Sequence, residues 1–399
     1  MMAQQVSRRE FTAAAVARPL QAKTMSIGET MRRAVESHRI PCATAMVADS
    51  RRVLYEGAFG TRDAASGMAA KIDSIFAIAS MTKAITSTAA MQLVERKQVS
   101  LDEPAERHLP ELRGRQVLHG FDTTGRAKLR PPPKPVTLRH LLTHTSGLCY
   151  ALWDQDMLKW QSSPGVTPST LPPLIFNPGT RWQYGQGIDL AGRLIEQVSG
   201  QLLEDYFQKH ILAPLGMRDT SFLLPPEKFE RLVTGYQRQP DGSLKPNERK
   251  QPAPPRAFGG GGGLFSTAPD YVRFMQMILQ RGAGVLRRET MKQMSANQTG
   301  GMRAGVLKTT APDTSSDLDT HPGARDGHTL GFLINPTPHQ GGRAAGSLAW
   351  AGLHNTYYWI DPARDRCAVI MMQFLPFADR EAVGLLNQFE QAVYATTTA

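Results

Sequence analysis

A serine and a lysine stand three residues apart in "AIASMTK", Ala77 to Lys83, the composition of a nucleophile with a proton acceptor. Serine is a weak nucleophile at its ordinary pKa and needs a base or a positive field to attack a carbonyl. In a helix, positions i and i+3 share a face, so a helix opening at Ser80 would bring Lys83 to the hydroxyl. Its unpaired N–H groups and its dipole would favour negative charge developing there. Chance alone gives roughly one or two Ser-x-x-Lys matches in a chain of this length. An N-capping serine with a surface lysine would look the same. Against that, the segment after Ser80 is mostly apolar, where an unpaired ammonium is expensive.

Other residues compete for the chemistry. The chain contains no Gly-x-Ser-x-Gly, so a nucleophile elbow has no support. His140 and His144 have zinc-pair spacing, but Leu141 follows the first where glutamate would be expected, and no third ligand is evident. They read as helix and turn residues. "FGGGGGLFSTAPD" lacks the ending of a phosphate loop and reads as a tight, crossing segment of backbone. Tyr184, in the Gly-rich turn of "NPGTRWQYGQGID", could carry a proton if neighbouring cations lowered its pKa, though a core tyrosine is the ordinary alternative. In "SLAWAGLHNTYYWID", Gly352 would leave room for substrate at the backbone, and the N–H of Leu353 could polarise a carbonyl. No metal or organic cofactor is called for.

The elements that must position these groups are legible in outline. "ATAMVAD" and "VLYEGAFG" read as strands joined by a turn at Ser50-Arg51-Arg52, and a further strand runs from Ser74 to Ala79. A buried helix follows from Ser80, with helical segments expected at 137–143, 188–198 and 201–211 and another opening at Thr267-Ala268-Pro269-Asp270. "FDTTGRAKLRPPPKP" is a hairpin or loop excursion. The end of the chain returns to three strands and a final helix from about Asp379 to Tyr394. The expected architecture is α/β, a mainly antiparallel sheet flanked by helices and built from both chain ends, with an inserted, mostly helical domain. Residues 26–100 and 320–399 would form the first part, 101–319 the insertion and 1–25 an N-terminal extension. Ser80 would lie at the seam.

Composition narrows the partners. The 399 residues carry a formal charge of +11, but the basic residues are scattered, the densest being pairs such as Arg32-Arg33, Arg51-Arg52 and Arg287-Arg288. Nucleic-acid binding is therefore not expected. No apolar run approaches the ~18 residues of a membrane span. Three widely spaced cysteines, Cys42, Cys149 and Cys367, make no disulfide framework and fit a reducing, cytoplasmic setting. Ser7-Arg8-Arg9-Glu10-Phe11 looks like a twin-arginine export signal, but its apolar stretch stops at Arg18-Pro19 and reads as a degenerate match.

Several long segments in order carry a resemblance: "FAIASMTKAITSTAAMQLVE", "VTLRHLLTHTSGL", "PGTRWQYG", "GGGGLFSTAPDYVRF", "SLAWAGLHNTYYWIDP" and "LPFADREAV". Over about residues 30 to 395 the chain resembles the serine β-lactamase and penicillin-binding-protein superfamily. Within it, the chain is most similar to family VIII carboxylesterases, themselves similar to class C β-lactamases. The resemblance implies that Ser80 is the acyl-accepting nucleophile, that Lys83 and Tyr184 handle its proton, and that the N–H groups of Ser80 and Leu353 form an oxyanion hole. Trp350, Gly352 and Gln186 would line the substrate. Two motifs depart from the β-lactamase pattern. Tyr184-Gly185-Gln186 stands for Tyr-Ser/Ala-Asn, and Trp350-Ala351-Gly352 for Lys-Thr/Ser-Gly. Replacing that lysine by an indole removes a cation suited to a carboxylate. The expectation is a serine esterase for short-chain, small-molecule esters. The alternatives are a β-lactamase, D-amino-acid peptidase or acyltransferase of the same superfamily and, from another class, a catalytically silent binding protein.

Overall fold

The computed structural model describes residues 25–395 apart from position 38, so the twin-arginine-like stretch lies outside the described residues. An eight-stranded sheet forms the centre. Strands β1 (Cys42–Ala48), β2 (Val53–Asp63) and β3 (Met68–Ala69) come from the beginning of the chain. Strands β4 (Gly327–His328), β5 (Leu333–Ile334), β6 (Leu348–Gly352), β7 (Thr356–Asp361) and β8 (Arg366–Met371) come from its end. Their order is β4-β5-β6-β7-β8-β1-β2-β3, and each neighbouring pair is antiparallel. The two ends of the chain meet where β1 pairs with β8, Ala45 opposite Ile370. This is the sheet expected from the sequence.

Helix α1 (Ile27–Glu36) lies on one face; helices α2 (Thr82–Glu95) and α3 (Leu138–Leu142) pack against α4 (Gly187–Ser199); α5 (Ala268–Leu279) lies on the other face, and α6 (Arg380–Ala395) packs beside α1. Side chains alternate across a strand, and β1 uses both sides, so all seven of its residues are buried. Cys42, Met46 and Ala48 join the core with α2 and α5, while Ala43, Ala45 and Val47 join the one with α1 and α6. Each large apolar side chain so buried, such as Phe389, contributes about 1.5–3 kcal/mol. Helix α2 is buried on every side from Thr82 to Leu93, which explains its lack of a polar face.

Between the two contributions to the sheet lie helices and short hairpins. The Pro-rich excursion contains the hairpin Val117–Phe121 with Ala127–Arg130. The expected 201–211 helix is Leu203–Phe207, continued by a π-helical turn over Gln208–Leu212. The strand expected up to Ser80 is reduced to Phe76–Ala77, paired with Phe265–Ser266. Its early end has a backbone cause, because Ala79 adopts φ +42°, outside both strand and right-handed helix. Cys42, Cys149 and Cys367 are buried free thiols. No helix among the described residues is long and apolar enough to cross a membrane.

Candidate active site

After Phe76–Ala77 the chain turns through Ala79–Met81, a single 3-10 turn, into α2. Ser80 sits in that turn, partly exposed, and Lys83 in the first turn of α2, 2% exposed. The expected contact forms, with Lys83 Nζ 3.2 Å from Ser80 Oγ. The left-handed Ala79 just before Ser80 stores about 1–3 kcal/mol of backbone strain. The surrounding pairing holds it, including the Ile78 N–H on the Leu264 carbonyl at 3.0 Å.

An ammonium has three protons to place, and Lys83 gives them to three neutral oxygens. Besides Ser80 Oγ, these are the Tyr150 hydroxyl at 3.3 Å and the Gly261 carbonyl at 2.5 Å. The charge also lies over the Tyr184 ring, 4.9 Å from its centroid, and over the Tyr150 ring at 5.3 Å. The Gly261 contact explains the run of glycines. A Cβ on Gly261 would fall 2.3 Å from Asp189 Oδ2, so only bare backbone crosses between α2 and α4 at this point. This is the tight crossing segment that the sequence implied.

Tyr150 and Asp189 were not among the residues singled out from the sequence. Asp189, in the first turn of α4, accepts the Tyr150 O–H at 2.9 Å and the Gly261 N–H at 2.9 Å. A carboxylate there is favoured by the helix dipole, and that reading conceals it, since an acidic residue near a helix start looks like ordinary end-capping. Tyr150, directly after a Gly-Leu-Cys turn, carries no mark in the sequence beyond its hydroxyl.

Tyr184 is 2% exposed, and its hydroxyl accepts the Trp350 indole N–H at 3.2 Å. Lys83 meets the face of its ring, whereas the phenol oxygen that Lys83 touches is that of Tyr150. Tyr184 packs in an aromatic nest with Tyr150, Trp153, Trp350 and His144, ring centroids 4.7–5.5 Å away. His144 and His328 lie behind it with ring centroids 5.1 Å apart. Burial pushes His328 down to about 4, against a weaker opposing hydrogen bond to the Thr329 carbonyl. Burial, then the nearby His328 and Lys83, hold His144 well below the usual imidazole range. Both rings are therefore neutral at pH 7.

The third predicted segment also reaches the site. Trp350 lies on β6 opposite Tyr358, and β6 packs against the Ala79–Met81 turn. The side-chain space at Gly352 is taken by protein rather than left for substrate: a Cβ there would lie 2.3 Å from the Ile78 carbonyl oxygen. The glycine thus lets β6 close against the segment that presents Ser80, and Leu353 follows in the turn after it. Gln186 precedes α4 as its N-cap residue, its N–H on the Leu148 carbonyl at 2.9 Å.

Comparison with known proteins adds relatives over nearly the whole length. The family model described as Beta-lactamase matches residues 27–392. Monacolin J acid methylbutanoyltransferase of Aspergillus terreus is 32% identical over 397 residues, covering 91% of this chain and 94% of its own. Lovastatin esterase of Penicillium rubens is 30% identical over 398 residues, covering 93% and 98% respectively. Among solved structures, a mutant simvastatin synthase from Aspergillus terreus matches with a TM-score of 0.81 and 32% identity, over 93% of this chain and 96% of that one.

Proposed function

The chain belongs to the β-lactamase family, and on that premise we propose that it is a serine acyltransferase with esterase activity, working through an acyl-enzyme on Ser80. The observation that carries the chemistry is the buried Lys83 Nζ, 3.2 Å from Ser80 Oγ, with neutral oxygens as its other partners. The relatives favour transfer over plain hydrolysis, since a protein named as a methylbutanoyltransferase matches over 91% of the chain. The esterase of similar identity supports water as a second acceptor.

The proposed reaction is a double displacement. Ser80 Oγ attacks the carbonyl of a neutral ester or thioester. Its proton passes to Lys83 Nζ, the group in direct contact, in its amine form. The oxyanion is held by the N–H groups of Ser80 and Leu353, donors typically worth about 2.7–4 kcal/mol each. As the tetrahedral intermediate collapses, Lys83 and Tyr184 return the proton to the leaving group. An alcohol, or water, then attacks the acyl-enzyme and gives up its proton by the reverse path. Trp350 supplies an N–H where a lysine would supply charge, so neutral, largely apolar acyl groups and acceptors fit best.

The test is product partition. With p-nitrophenyl butyrate and a rising concentration of a primary alcohol, the wild type should release nitrophenol while an increasing share of butyrate appears as the new ester. Free butyrate alone at every alcohol concentration would overturn transfer and leave hydrolysis.

A further inference from the structure

Lys83, Tyr150, Asp189 and Gly261 close a ring of four hydrogen bonds. Lys83 Nζ donates to the Tyr150 oxygen, whose own proton goes to Asp189 Oδ2; Asp189 Oδ1 accepts the Gly261 N–H, and the Gly261 carbonyl accepts a second Lys83 proton. Two of the three ammonium protons are committed inside this ring, and the third faces Ser80 Oγ at 3.2 Å. A lysine head on its flexible stem otherwise carries about 2 kcal/mol of rotamer entropy and three equivalent donors.

The two tyrosines at Lys83 have different partners. Tyr184 accepts the Trp350 indole N–H, whereas Tyr150 donates to a carboxylate and so offers its lone pairs to the ammonium. Burial, followed by the Asp189 charge and the neighbouring Tyr184, pushes Tyr150 well above the usual phenol range, so it remains a phenol. Asp189 balances the lysine charge through that phenol rather than by a direct pair, which would draw the ammonium away from Ser80.

We infer that Tyr150 and Asp189 are positioning residues for acyl transfer: they close the ring, hold two Lys83 protons and leave the third direction of Nζ, the lone pair of its amine form, facing the nucleophile. The inference rests on Ser80 being that nucleophile. The other titratable groups facing this cluster are Tyr184, beneath Lys83, and His144, beside Tyr184.

The experiment measures kcat, KM and their pH profiles for p-nitrophenyl butyrate in Tyr150→Phe, Asp189→Asn, Asp189→Ala and the Tyr150→Phe/Asp189→Ala double variant. Labelling with an organophosphonate counts competent Ser80 in each preparation, so misfolding does not enter kcat. Tyr150→Phe should lower kcat about 10- to 100-fold, the cost of a misdirected catalytic group, with KM within about twofold. The pH at which its kcat rises should also move. Asp189→Ala should fall at least as far, and Asp189→Asn, which keeps one of the two accepting oxygens, should retain more. The double variant should fall no further than Asp189→Ala, because both residues act through one ring. A Tyr150→Phe enzyme with wild-type kcat and pH profile, or losses that multiply in the double variant, would overturn the inference. Phosphonate on a residue other than Ser80 would overturn the functional reading and this inference with it, a result distinct from any change in the Tyr150 and Asp189 kinetics.

Discussion

Two buried cationic side chains, Lys83 and Arg343, are handled in opposite ways. Arg343, 8% exposed, pairs with Glu390 of α6, 4% exposed. Its Nη2 and Nε meet the carboxylate at 2.7 and 3.0 Å, and its backbone N–H adds a third bond at 2.9 Å. His339 Nδ1 lies 3.4 Å from the same carboxylate. Burial alone would raise the Glu390 carboxyl. The Arg343 charge, with hydrogen bonds from His339 and Arg343, outweighs that and holds it well below the usual carboxylate range. Lys83 instead gives its protons to a serine, a phenol and a carbonyl. A buried charge saturated by its counter-charge is scaffold, while one held by neutral oxygens can still exchange a proton with a neighbour. That difference is why the chemistry is proposed at α2 rather than at α6.

The largest effect expected is on rate. Ser80→Ala and Lys83→Met should each lower turnover by about 10⁴-fold while the melting temperature stays close to wild type, as steady-state kinetics and calorimetry on one preparation would check. Breaking the other site should do the reverse. Glu390→Ala strands a buried guanidinium and should cost about 3–5 kcal/mol of unfolding free energy in urea. The kcat of its folded fraction should stay near wild type. A comparable rate loss in Glu390→Ala would erase the distinction between the two sites.

Acid titration separates the regions by pH. His328 is held at about 4 in the folded chain, below the unfolded value of about 6.5. The unfolded chain therefore binds more protons in that interval, and stability is lost as pH falls from about 6.5 toward 4. Glu390, depressed when folded, contributes stability above its unfolded value of about 4.3, lost as pH falls further. Melting temperatures against pH should fall in two stages, His328→Asn reducing the first and Glu390→Gln the second. The smallest effect expected is that of Trp350→Phe, which removes one hydrogen bond to Tyr184 and should cost about tenfold in kcat/KM, near 1.4 kcal/mol.

What the sequence revealed follows from distance along the chain. Ser80 and Lys83 are three positions apart, and their contact needs only a helix, which the apolar run from Thr82 announces. The glycine run was readable because only close backbone crossing requires so many. Tyr150 and Asp189 were not readable: Tyr150 reaches Lys83 across 67 positions and Asp189 across 39. The tertiary fold alone brings these ordinary residue types together. The scaffold pair escaped notice for the same reason, Arg343 and Glu390 lying 47 positions apart with Glu390 inside the final helix. Gly352 was noticed for the right property but assigned the wrong neighbour, since sequence does not show that Ile78 passes there.

Under the proposed reaction an acyl group forms on Ser80 with the help of Lys83. The direct measurement is rapid-quench intact mass, with peptide mapping, after mixing with p-nitrophenyl butyrate. One butyryl group per chain is expected in the wild type, mapped to Ser80, with none in Ser80→Ala and slowed formation in Lys83→Met. Turnover by Ser80→Ala at the wild-type rate, or a butyryl group mapped to another residue, would contradict that reaction.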